Sequence, residues 1–126
     1  MTFEQIHNEI FNLIACEEVK ELMTEDRIFY YFPPKKSLDI FPRIHFRIEN
    51  VRSRFIGDDN EIISEARVVV NIYDVVPTWT LSDHIVNSML NAENGKHIAL
   101  DTSSDSYDPE DGVHGKQLTF LIKYNK

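Results

Sequence analysis

The chain has 126 residues, a net charge of -8 and 42% hydrophobic residues, including eight Phe, five Tyr and one Trp; this is apolar surface enough for a core, which excludes a disordered chain. Its apolar runs, such as Val68-Val69-Val70, fall far short of the roughly 20 residues that cross a bilayer, and its start has no signal-peptide pattern. The acidic balance disfavours affinity for a phosphate backbone, and the single cysteine, Cys16, can make neither an internal disulfide nor a Cys-based zinc site. The expectation is one soluble domain over residues 1-126, made in the cytoplasm, without a membrane partner.

The first predicted element is a helix. Thr2 at its N-cap with Gln5 three residues on makes a capping box, and Phe3, Ile6, Ile10 and Leu13 follow at spacings of three and four. A second short helical piece, Cys16 to Met23, groups Val19, Leu22 and Met23 and either stands alone or continues the first after a kink. Arg27 to Phe32 reads as a strand stopped by Pro33-Pro34. From Pro42 the alternation is clean, with Ile44, Phe46 and Ile48 against Arg43, His45, Arg47 and Glu49.

A polar tip, Arg52 to Asn60, then separates this strand from its return, Glu61 to Tyr73, in which Ala66, Val68, Val70 and Ile72 share a face. After Pro77 a helix begins near Thr80 or Ser82, with Trp79, Ile85, Val86, Met89 and Leu90 as its buried side and Gly95 as a left-handed cap beyond it. His97 to Leu100 reads as a short strand. Gly115 to Tyr124 alternates Leu118, Phe120, Ile122 and Tyr124 against Gln117, Thr119, Leu121 and Lys123. Strands at hairpin distance favour an α+β fold: a mainly antiparallel sheet of four to five strands with two to three helices packed on one face.

The acidic run Asp101 to Gly112, DTSSDSYDPEDG, invites a calcium reading, but the register fails. With Gly112 at position 6 of an EF-hand loop, Tyr107 takes position 1, Pro109 position 3 and Leu118 position 12, where oxygen ligands are required. Turn chemistry explains the same residues, since Asp108-Pro109 starts a turn and Asp111-Gly112 closes it. His7, His45, His84, His97 and His114 are scattered, without the i, i+4 pairing of a helical metal site. No nucleophile elbow, Walker loop or Gly-x-Gly-x-x-Gly is present. The expectation is a protein that is not an enzyme and has no cofactor and no metal. Arg43, Arg47, Arg52 and Arg54 fall within twelve residues, whereas positions 101 to 111 hold five acids and no base, a segregation suited to charge-complementary protein contacts.

Three stretches resemble the tail-completion, or tail-to-head joining, proteins of long-tailed bacteriophages, which are related in fold to tail terminators. Pro42-Arg43-Ile44-His45-Phe46 looks like that family's Pro-aromatic-Ile strand opening, and Arg67-Val68-Val69-Val70-Asn71-Ile72-Tyr73 looks like its alternating strand ending in an acidic or amide residue, an aliphatic and an aromatic. The third runs from Ser106-Tyr107-Asp108 through Glu110-Asp111 to Phe120; in the family a Tyr, an acid-rich turn and a His-Lys pair lead similarly into the last strand. Here Gly115 separates His114 from Lys116, and Thr119 stands where a basic residue is common.

The resemblance implies a tail-terminator-like fold and a structural virion protein at the tail/neck junction. Such a protein forms a ring, usually a hexamer, caps the tail tube and meets a head connector, while DNA passes through the channel without specific binding. In that setting the segregated charges suggest a subunit or partner contact between Arg52, Arg54, Phe55, Asp58 and Asp59 on the tip and Tyr107, Asp108, Glu110 and Asp111 on the acidic turn. The free protein is then expected to be monomeric or mixed, lacking a long exposed apolar stripe. Two other functions fit the same features: a different head-tail connector or neck protein, and a small-ligand or metal-binding α+β domain using the sheet face opposite the helices.

Overall fold

A computed structural model describes residues 2–35, 38–56, 60–92 and 96–124, with side chains described throughout these except at 53–56, 60–62 and 96. The elements are α1 (Phe3–Ile14), α2 (Glu17–Lys20), a 3-10 turn (Glu25–Arg27), β1 (Ile28–Tyr30), β2 (Arg43–Ile56), β3 (Asn60–Asp74), α3 (Trp79–Leu90), β4 (Lys96–Asp108) and β5 (Val113–Tyr124). The five strands form one sheet in the order β1-β2-β3-β5-β4, with helices packed on one face, so the fold is α+β as the alternation predicts. Among the described residues no helix is long and apolar enough to cross a membrane.

The long hairpin β2-β3 and the hairpin β4-β5 are antiparallel, as is the central β3-β5 pair. β1 differs, because it runs parallel to β2, pairing Ile28 with Ile44 and Tyr30 with Phe46. Parallel neighbours need a return connection of about a dozen residues. Residues 31–42 supply it, starting at Tyr31 with a left-handed φ of 73°; the strand expected over Arg27 to Phe32 is thus shorter, Ile28–Tyr30, and ends at this turn ahead of Pro33-Pro34.

One apolar core joins both layers. Ile6, Ile10 and Ile14 of α1 and Leu81, Ile85 and Met89 of α3 are buried against Ile44, Phe46, Ala66, Val68, Val70, Ile72, Leu118, Phe120 and Ile122 of the sheet. The helix-facing alternation of β2, β3 and β5 is therefore as the sequence predicts. Ser88 Oγ donates to the Leu13 carbonyl at 2.6 Å, which ties α3 to the end of α1. Cys16 is partly buried beside this contact, with Sγ 4.0 Å from the His84 carbonyl oxygen.

The Thr2 capping box is present, with Thr2 Oγ1 accepting from the Gln5 N–H at 3.2 Å and Gln5 Oε1 accepting from the Thr2 N–H at 2.8 Å. Thr2→Ala removes one of these bonds and is expected to lower stability by about 1 kcal/mol. A denaturant titration checks this; an unchanged midpoint would show that the first turn frays.

Several expectations need correction. Trp79 and Leu90 lie on the solvent side of α3, at 69% and 44% exposure. The buried stripe is set by Leu81, Ser82, Ile85 and Met89, and at 100° per residue Trp79 and Leu90 fall well away from it. The helix starts at Trp79, ahead of the expected start. Leu22 is 48% exposed, because α2 ends at Lys20; of that segment only Val19 within the helix and Met23 in the following turn are buried. α2 does not continue α1, since Cys16 is extended (ψ 165°). Phe3 is also half exposed. Gly95 lies outside the described residues.

The largest correction concerns Asp101 to Asp108. The strand expected over His97 to Leu100 continues through this polar run as β4, pairing with β5 up to Asp108 opposite Val113. Polar, small residues such as Thr102, Ser103, Ser104 and Ser106 masked a strand that needs no apolar face, because residues 99–111 are all exposed at the edge of the sheet.

Candidate functional site

The face of the sheet turned away from the helices is open. Across it the register aligns Arg43, Tyr73, Gly115 and Ser106 in one row, His45, Asn71, Gln117 and Ser104 in the next, and Glu49, Arg67 and Leu121 further along. Two grooves mark the ends of this face.

The first groove, of about 590 Å³, is bounded by Leu38, Asp39 and Phe41 on one side and by the β4-β5 hairpin on the other, with Arg43 and Tyr73 at its floor. The Arg43 guanidinium lies 4.7 Å from the Phe41 ring centre and 4.9 Å from that of Tyr73, a stacked arrangement worth more the less water reaches it. It also donates from Nε to His45 Nε2 at 3.1 Å and from Nη1 to the Leu38 carbonyl. Burial holds Arg43 below its ordinary pKa. Burial and the neighbouring Arg43 charge push His45 down to about 4, so its Nε2 remains free to accept the Arg43 hydrogen bond. Gly115 leaves room for this packing, since a Cβ there would stand 3.5 Å from Tyr73 Cε1 and would meet Ser106 Oγ.

The hairpin wall carries the acidic turn. Asp108 Oδ1 accepts from the N–H groups of Glu110 at 3.0 Å and Asp111 at 3.4 Å, and the Asp108 carbonyl accepts from the Gly112 N–H at 2.7 Å. Gly112 has φ 66°, the left-handed conformation that glycine adopts without strain. Tyr107 packs against His114, with ring centres 4.6 Å apart and planes tilted by 49°. The earlier acids of the run are paired with their neighbours: Asp101 with Arg67 at 3.2 Å and Asp105 with Lys116 at 3.1 Å. The run is therefore the end of a strand followed by a hairpin turn. Among the described residues no group of three His, Cys, Asp or Glu could hold a metal ion.

The second groove, of about 460 Å³, lies at the far end of the same face, lined by Asn50, Arg52, Glu65, Arg67, Leu121 and Lys123. It forms where β2 bulges: the ladder passes from Glu49 opposite Arg67 to Arg52 opposite Glu65, and Asn50 takes a left-handed φ of 52°. A bulge of this kind bends its strand and opens the surface beside it. Arg52 stands 3.7 Å from Glu65 and is 78% exposed.

Of the residues singled out from the sequence, the structure brings Tyr107, Asp108 and Asp111 together at the first groove, with Glu110 at the tip of their turn. It places Arg52 at the second. The two lie at opposite ends of one sheet, since Tyr73 and Glu65 are eight steps apart along β3, about 27 Å at strand spacing. Asp58, Asp59 and the side chains of Arg54 and Phe55 lie outside the described residues. Sequence reasoning missed the Phe41-Arg43-Tyr73 stack and the part played by Arg67 and Lys123. The stack had a signal, because counting outward from the Gly57 to Asp59 tip pairs position 43 with 73. Comparison with protein-family models and with curated proteins finds no match.

Proposed function

We propose that this chain is a structural protein of a long-tailed bacteriophage, a ring that caps the completed tail tube and joins tail to head. The resemblance of three segments motivates the reading: the first two lie on the paired strands β2 and β3, and the third runs from the end of β4 through the turn into β5, which pairs with β3. The observation that carries it is the polarity of the open face. An acid-bearing turn projects from one end of the sheet, and a groove with Arg52, Arg67 and Lys123 occupies the other. A surface with complementary ends favours head-to-tail association, which closes into a ring when the rotation per subunit permits. The net charge of -8 per subunit, multiplied around a channel, would let DNA slide through without adhering.

Electron microscopy of the protein mixed with tail tubes tests the function. A ring at one end of each tube is the expected result, and bare tube ends at saturating protein would overturn it. Deleting the coding sequence should leave full heads beside unattached tails. A different neck protein, acting on the head side, would instead leave heads that lose their DNA.

A further inference from the structure

The acidic turn and the basic groove differ in more than charge. In the turn, Asp108 is consumed by holding the backbone N–H groups of Glu110 and Asp111. The carboxylates of Glu110 and Asp111 themselves have no ion-pair partner among the described residues, and both are exposed. The turn is therefore a fixed projection carrying two unspent charges, and little ordering is needed to present them. In the groove, Arg67 is tied to Asp101, Arg52 makes only a long contact with Glu65, and the exposed Lys123 has no ion-pair partner among the described residues. A 3.7 Å pair at 78% exposure contributes little to stability, so Arg52 is available to another carboxylate.

We infer that the β4-β5 turn of one copy of the chain docks into the groove beside the β2 bulge of a second copy, with Glu110 and Asp111 facing Arg52 and Lys123. The inference rests on the ring reading above and names its contact. The socket is the sheet face at Asn50 and Lys123, rather than the hairpin tip beyond it. Two acidic molecules repel at long range, so association needs such a local match.

Two charge-reversed chains test it. Arg52→Glu with Lys123→Glu spoils the socket; Glu110→Lys with Asp111→Lys spoils the turn and leaves Asp108 to hold its shape. All four side chains are exposed, so both chains should fold, which circular dichroism verifies. Sedimentation velocity is read at about 0.01 M salt, where charges act over about 30 Å, and at about 1 M, where they act over about 3 Å.

The wild-type chain is expected to associate at low salt and dissociate at high salt. Each variant alone should associate at least about tenfold more weakly. An equimolar mixture should recover association, because every turn then meets a socket of opposite sign. A wild-type chain monomeric at low salt, variants that associate like wild type, or a mixture without recovery would each overturn the docking. The ring reading fails separately. If wild type stops at a two-fold dimer that the variants dissolve, the docking stands and the ring falls; if both variants still form rings on tail tubes, the ring stands and the docking falls.

Discussion

Phe46→Ala is expected to lower the unfolding free energy by about 3–5 kcal/mol, the range for emptying a buried aromatic site. Phe46 is 1% exposed and sits where three elements meet. The Tyr30 ring of β1 stands edge-on to it at 5.2 Å, while His7 and Phe11 of α1 lie at 5.3 Å and 6.4 Å. Losing the ring removes its own transfer free energy and leaves a void that Tyr30, His7 and Phe11 cannot all fill together. Equilibrium denaturation measures the change. Phe32→Ala is the matching control, because that ring is 72% exposed, and it should shift stability by less than about 0.5 kcal/mol. A Phe46 variant losing under about 1 kcal/mol would mean that α1 does not seat on β2 as described.

The second large effect is a dependence on pH. His45 in the folded chain is held down to about 4 by burial and by Arg43, against 6.5 for a free imidazole. Between these values the unfolded chain binds a proton that the folded chain refuses. Stability is therefore full above pH 6.5, falls as pH drops towards 4, and loses nothing further from this group below that. The loss is on the order of 2 kcal/mol after allowance for solvent screening. His45→Gln keeps an acceptor for Arg43 Nε and cannot titrate. Carboxylates contribute equally to both chains, so the difference between their stability curves isolates His45. The curves should diverge between pH 4 and 6.5, and parallel curves would sink this account.

Period and punctuation carried most of the fold. The alternation of Ile44, Phe46 and Ile48, and of Val68, Val70 and Ile72, identifies strands because one face must be buried and the other need not be. The same logic fails for β4, whose residues 101–108 bury neither face and are held by backbone pairing to β5. It fails again at Trp79, where hydrophobicity suggests burial but angular position on the helix decides. The site was legible in part. The acidic turn follows from Asp108-Pro109 and Gly112, whereas the basic groove depends on Lys123 arriving opposite Glu65 through a third strand, a long-range fact that spacing along one segment cannot hold.

Asn50 also acts as a reading-frame change within the sheet. Side chains alternate strictly along a strand, so one extra residue exchanges the faces of the residues that follow it, here until a second register shift between Arg52 and Ser53 restores the pairing. Because of Asn50, Val51 packs against the core, while Arg52 stands opposite Glu65 on the open side. Were position 50 to take its place in the regular alternation in place of bulging, the chain would keep every charge in its composition yet turn Arg52 toward the helices and Val51 toward solvent. Phase, as much as charge, decides what this surface offers.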